Sequence, residues 1–276
     1  MQQVLKTMLE NVRAKTPLVH NITNYVTVND VANVLLAAGG SPIMSDDADD
    51  VEDITSICGG LNINIGTLNK NTIPSMFLAG KKANALGHIV LLDPVGAGAS
   101  RLRTDTANRL MQEVRFDAVR GNISEIKTLC TGSGSTKGVD ADAVDAVTEA
   151  NLDDGVQLVK AFAQKTGCIV AVTGAIDLVS DGERCWCIRN GRAEMSRITG
   201  TGCQLSALMT AFLVANPDHK LAAAAAAVCM MGLAGEIGWA NMQPGDGNST
   251  YRNRIIDAIF NMTGDALEKG AKYELR

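Results

Sequence analysis

The run Thr199-Gly200-Thr201-Gly202-Cys203 is followed by helical spacing over residues 204–214. A glycine-rich turn that opens a helix leaves several backbone N–H groups without partners. Together with the helix dipole, they suit a phosphate or the charge of a moving phosphoryl group. Cys203 falls in the first helical turn, where the dipole is expected to favour the thiolate and lower its pKa from the free value of ~8.5. The same residues also fit a tight turn with a buried, inert cysteine. The run is not a dinucleotide fingerprint, because Leu205 stands where the third glycine belongs. Gly96-Ala97-Gly98 fails in the same way, with Arg101 at the third position. Neither run contains the Gly-Lys-Ser/Thr of a Walker-type phosphate loop.

Three further segments carry polar groups that chemistry could use. In Arg120-Gly121-Asn122-Ile123-Ser124-Glu125, Asn122 and Glu125 share a helical face. Both offer oxygen to a hard cation such as Mg²⁺, which takes one or two carboxylates plus phosphates and keeps several waters. Arg120 can grip phosphate. The same pattern fits a capped surface helix, with Asn122 as N-cap and Glu125 completing the box. Asp93-Pro94 follows an apolar run over residues 88–92 and places a carboxylate at a strand mouth, or marks a plain turn. His20-Asn21-Ile22-Thr23-Asn24 precedes a helical pattern and offers amides to a small heteroaromatic ligand, or caps that helix. His20, His88 and His219 are scattered and suggest no base or metal ligand. Trp186 and Trp239 read as packing residues.

These segments need a frame. Helical spacing covers residues 26–38, 72–86, 123–129 and 153–166. Short apolar runs at 41–44, 61–65, 88–92, 118–120 and 168–172 read as strands. Three more strands are expected at 177–180, 184–188 and 193–196, as a meander at one sheet edge. From Thr199 onward the pattern is helical to the end. Strand–helix alternation with fully apolar strands predicts an α/β fold, with a mostly parallel central sheet and helices on both faces. Ligands in such sheets bind beyond the carboxyl ends of the strands. Gly66-Thr67, Asp93-Pro94, Arg120-Gly121-Asn122 and Thr173-Gly174 all fall at those ends and are expected to converge.

Composition narrows the function classes. The 276 residues suffice for one large domain with a sizeable core, and no linker divides them, so residues 1–276 are expected to form a single domain. The net charge of −5 is spread among both signs, and no basic stripe speaks for nucleic acid. Seven cysteines without a C-x-x-C pair, Cys185 and Cys187 forming a C-x-C, fit buried thiols in a reducing, cytoplasmic compartment. The start, residues 1–17, is amphipathic and lacks the apolar core of a signal peptide. The apolar stretch 221–240 contains Glu236 and a run of alanines, and reads as a core helix rather than a membrane span.

Taken in order, HNITN (from His20), SPIMS (from Ser41), NIGTL (from Asn64), DPVGAG (from Asp93), RGNISEI (from Arg120), AVTG (from Ala171) and TGTGCQLS (from Thr199) resemble the hydroxyethylthiazole kinase family of the ribokinase-like superfamily. The pieces span nearly the whole chain. The resemblance implies Mg²⁺- and ATP-dependent phosphorylation of the hydroxyl of 5-(2-hydroxyethyl)-4-methylthiazole, in thiamine biosynthesis or salvage. It implies Cys203 as the catalytic residue, where most of the superfamily has aspartate. It places Met44, Gly200, Asn24, Gly66 and Thr67 at the substrate, and Arg120, Thr173, Gly202 and Asn122 at ATP. It places Glu125 and Asp93 at the metal. It also implies a homotrimer with active sites at subunit interfaces. The rival readings are a ribokinase-like kinase of another vitamin-precursor alcohol such as hydroxymethylpyrimidine, a nucleotide-dependent hydrate dehydratase, and a non-catalytic sensor. Cys203 argues against the dehydratase, and Arg120 and Glu125 beside the glycine-rich turn argue against the sensor.

Overall fold

A computed structural model describes residues 3–132 and 146–276. Nine strands form one sheet among the described residues, in the order β2-β1-β3-β4-β5-β6-β7-β8-β9. They are β1 (Leu18–Ile22), β2 (Ser41–Met44), β3 (Gly60–Asn64), β4 (Ile89–Asp93), β5 (Ala118–Asn122), β6 (Ile169–Thr173), β7 (Asp177–Ser180), β8 (Cys185–Ile188) and β9 (Tyr273–Leu275). The first six run parallel, and the last three pair antiparallel.

Alternation along each strand sends side chains to two separate cores. In β4, Leu91 packs into one core, while Val90 and Leu92 pack into the other. The first core is closed by α1 (Val4–Lys15), α2 (Val28–Ala38), α8 (Thr201–Ala215), α9 (Lys220–Ala240), α10 (Asn248–Asn261) and α11 (Gly264–Gly270). The second is closed by α3 (Val51–Ile57), α4 (Thr72–Leu86), α5 (Arg101–Glu113), α6 (Ile123–Thr131) and α7 (Leu152–Thr166). The α/β fold with helices on both faces is therefore as the sequence predicts. The long apolar helix α9 is a core helix: most of its apolar stretch is buried inside the fold. Met1 and Gln2 of the amphipathic start lie outside the described residues, and α1 buries Leu5, Met8, Leu9 and Val12 on one face.

Three expectations are corrected. Residues Ala193–Arg197 form a 3₁₀ turn, not a third meander strand. The free edge of β8 is taken instead by β9, with Trp186 opposite Leu275 and Tyr273 against the Trp186 ring at 4.3 Å. The chain after Thr199 is thus not helical to its end. The His20 segment is largely strand rather than a helix cap, since His20, Asn21 and Ile22 belong to β1. Polar side chains hid this strand, and they are buried and paired: Asn62 Nδ2 donates to Asn21 Oδ1 at 3.1 Å, and Asn21 Nδ2 donates to Val19 O at 3.0 Å.

Candidate active site

The carboxyl ends of β3, β4, β5 and β6 lie side by side, with Asn64 opposite Asp93 and Asn122 opposite Thr173. The amino end of α8 points at the same place. Gly200 precedes it with φ of +85°, and a Cβ there would come within 2.9 Å of Thr27 Cβ. Backbone angle and contact together demand glycine. The Gln204 N–H already reaches Gly200 O at 2.9 Å. The N–H groups of Thr201, Gly202 and Cys203 come before this first intrahelical bond and remain for an anion.

Arg120, from β5, lies across this helix start. A Cβ on Gly202 would sit 2.8 Å from Arg120 Cζ, so only glycine lets the guanidinium lie so close to the helix start. Arg120 Nη2 donates to Thr173 Oγ1 at 2.5 Å, and Nη1 stands 3.6 Å from Asp93 Oδ1. Arg120 Nε is buried without a hydrogen-bond partner among the described residues. A cation held against the positive end of a helix, with one donor unspent, is a site for an anion.

Asp93 closes β4 and is fully buried. Its Oδ2 accepts from Asn64 Nδ2 at 2.7 Å and from Ser206 Oγ at 2.8 Å. Its Oδ1 has no hydrogen-bond partner among the described residues. Burial pushes its pKa above the usual carboxylate range, against the pull of Arg120 and of the Ser206 and Asn64 hydrogen bonds.

Asn122 and Glu125 form a reciprocal capping box at the start of α6. Glu125 Oε2 accepts from Asn122 N at 2.7 Å, and Oε1 accepts from Gly96 N at 2.8 Å. The helix is not a surface helix, because Glu125 is buried. Burial, then the charge of Asp93, raise the Glu125 pKa to about 7. The capping reading of this segment therefore holds, and the Asn122 side-chain oxygen accepts from Glu125 N at 2.8 Å.

Cys203 is buried at the third position of α8. Asn24 Nδ2 donates to its Sγ at 3.2 Å and to Asn64 Oδ1 at 3.1 Å. Asn24 Oδ1 in turn accepts from Thr27 N and Thr27 Oγ1, so its amide is fixed on every side. The expected fall in the Cys203 pKa is overturned. Burial, then the negative charge of Asp93, push it up to about 11, and these outweigh Arg120 and the asparagine hydrogen bonds.

Beside this network lies a cavity of about 170 Å³, with Met44, Asn64, Thr67, Tyr25 and Met76 in its wall. Of the residues expected at the substrate, Met44 and Thr67 line the cavity. Asn24 bridges its wall to Cys203, and Gly66 N donates to Asn64 Oδ1 at 2.9 Å. Gly200 faces Thr27 instead. Sequence reasoning left out Asn64 and Ser206, which hold Asp93, and Arg103, whose Nη2 donates to Gly66 O at 2.7 Å. Ser206 stands three residues after Cys203, on the same helical face, and that spacing was its signal. Asp177, also unforeseen, accepts from Gly174 N at 2.8 Å, and burial pushes it up to about 7.

An anion cradle at a helix start, facing a buried arginine–carboxylate pair beside a small cavity, on a ribokinase-like sheet, defines a phosphoryl-transfer protein of the small-molecule kinase class. The fold matches pyridoxal kinase of Staphylococcus aureus in complex with AMP-PCP at TM-score 0.63 and 15% identity, over 94% of this chain and 97% of that one.

The profile of the hydroxyethylthiazole kinase family matches residues 9–265, and the chain belongs to that family. It is 58% identical to hydroxyethylthiazole kinase of Clostridium acetobutylicum, over 98% of this chain and 99% of the relative. The solved structure of the hydroxyethylthiazole kinase protein of Pyrococcus horikoshii superposes with TM-score 0.88 at 32% identity, covering all of both chains.

Proposed function

We propose that the protein transfers the γ-phosphoryl group of ATP to the hydroxyl of 5-(2-hydroxyethyl)-4-methylthiazole, in thiamine biosynthesis or salvage. The observation that carries this is the junction between two spaces. Asn64 stands in the wall of the small cavity, Asn24 donates both to it and to Cys203 Sγ, and Cys203 sits on the helix start that Arg120 faces. Met44, Thr67, Gly66 and Asn24 serve the acceptor alcohol, with Gly200 shaping the turn. Arg120, Thr173 and Gly202 serve the ATP phosphates, and Asn122 acts through the cap that fixes Glu125.

Phosphoryl transfer asks mainly for positioning and charge stabilisation. The N–H groups of Thr201, Gly202 and Cys203 collect charge on the transferring group, and Arg120 neutralises more. Cys203 stays a thiol at neutral pH and orients the alcohol. With a pKa near 11, almost none of it is the thiolate that could take a proton at pH 7, so the hydroxyl proton passes to the phosphoryl group's own oxygens as the new O–P bond forms.

The residues fit Mg²⁺. Asp93 offers a buried oxygen that has no hydrogen-bond partner among the described residues and stands 3.6 Å from Arg120, and Glu125 adds a neighbouring carboxylate whose two oxygens already hold backbone amides. One or two carboxylates are the usual protein share of such a site. When bound, Mg²⁺ would neutralise phosphate charge, and these acids would hold it.

The exposed Tyr25 and Val26 stand by the cavity, with 78% and 57% of their surface free. Such side chains favour a second copy closing the pocket in a homotrimer. The seven free cysteines support a cytoplasmic setting, and we take residues 1–276 as one catalytic domain.

The test is ADP release from ATP with hydroxyethylthiazole, with hydroxymethylpyrimidine and with no acceptor, each with and without Mg²⁺. Mg²⁺-dependent turnover with the thiazole alone supports the reading. Equal or faster turnover with the pyrimidine, or none with the thiazole, overturns it.

A further inference from the structure

We infer that His20 is a positioning residue for the acceptor pocket, holding the end of the edge strand that carries Met44. The inference rests on reading the small cavity as that pocket. Among the described residues, strand β2 is the edge of the sheet and pairs only with β1. Its last paired residue is Met44, opposite Asn21, and the ladder stops there. The next residue, Ser45, is held by side chains instead.

His20 is fully buried in β1, and its Nε2 lies 2.9 Å from Ser45 O. A carbonyl oxygen only accepts, so Nε2 carries the hydrogen. Nδ1 of the neutral ring is then an acceptor, and Thr55 Oγ1, from α3, donates to it at 2.9 Å. Burial lowers the His20 pKa and keeps the ring neutral, although the Ser45 carbonyl and the charge of Asp50 pull the other way. The geometry thus fixes one tautomer, with both ring nitrogens spent.

Ser45 is gripped from a second side. Its Oγ donates to Asp50 Oδ2 at 2.5 Å, and Asp50 precedes α3. The His20 ring therefore ties β1, the end of β2 and α3 into one corner. Asn21 and Ile22, directly after His20, line the cavity from β1; Met44 lines it from the end of β2 and Ser45 from just beyond. An edge strand lacks a second neighbour to hold its register, so its end moves when this clamp is lost. Met44 would move with it, away from the acceptor and not from the phosphates.

The experiment is steady-state kinetics of purified His20→Leu, His20→Gln, Thr55→Val and Met44→Ala, with hydroxyethylthiazole and ATP varied separately. His20→Leu should raise the acceptor KM about tenfold, as expected for one buried hydrogen bond, and leave the ATP KM within about twofold. Glutamine places an amide N–H at nearly the reach of Nε2, so His20→Gln should restore the acceptor KM to within about threefold of the parent. A merely structural role would lower stability without this split or this rescue. If His20→Leu does not fold, Thr55→Val decides, since it removes only the bond that orients the ring. An unchanged acceptor KM there overturns the inference. Met44→Ala separates the two claims. A raised acceptor KM in Met44→Ala with none in His20→Leu removes His20 alone. An unchanged KM in Met44→Ala removes the cavity as the acceptor pocket.

Discussion

A single side chain shows how burial outweighs the helix dipole. Cys203 occupies the position where a helix start should favour a thiolate, yet its pKa rises to about 11 because burial, and then the charge of Asp93, oppose the thiolate. In the proposed reaction its contribution is placement of the alcohol, through a sulfur that Asn24 holds. Cys203→Asp is expected to keep or raise kcat, because the enlarged acid can accept the proton directly. Cys203→Ala should lose no more than about 10²–10⁴-fold, the usual worth of an acid–base group. Activity of both variants across pH 6–9 checks this, and a parent profile governed by thiol ionisation near neutrality would speak against it. That Asn24 and Cys203, and Arg120 with Asp93, Thr173 and Gly202, come together in the fold was legible from motif order. The direction of the Cys203 shift was not, because it depends first on burial and then on Asp93, which is 110 positions away in the chain and adjacent only in the fold.

At the scale of elements, the start of α6 joins a helix cap to a charge site. Glu125 is neutral up to about 7 in the folded chain, against 4.5 when unburied. The folded state therefore holds a proton that the unfolded state has released between these values. Stability falls as pH rises through that window, by about 3 kcal/mol if this group acts alone, and Asp93 adds in the same direction. Urea unfolding at pH 5 and pH 8 checks it: Glu125→Gln should show a much flatter pH dependence than the parent, and an equal slope would refute the raised pKa. The segment from Ile123 onward reads as a helix from its pattern, and α4 follows its expected bounds, Thr72–Leu86, since apolar periodicity and the Gly87 stop agree. Strand β1 was hidden because its buried residues include His20 and Asn21, whose hydrogen bonds come from distant elements. Strand β9 was hidden because three residues at the chain end, two of them polar or charged, form a strand only against β8.

Across the whole molecule, the parallel order of the sheet makes the site. Asn64, Asp93, Arg120 and Thr173 come from four adjacent strands, and α8 is laid across their ends. The cavity leaves Tyr25 and Val26 exposed, as the proposed trimer requires. Tyr25→Glu should shift the protein toward smaller species in analytical ultracentrifugation and raise the acceptor KM more than the ATP KM. A trimer that persists with unchanged kinetics would separate these residues from assembly. The proposed phosphoryl transfer turns most on Arg120 facing the helix start. The direct measurement is kcat/KM for ATP in Arg120→Ala, with folding verified by circular dichroism. A loss of about 10²-fold or more is expected, on the scale of removing one charge-stabilising donor. A value equal to the parent's would contradict the site as drawn.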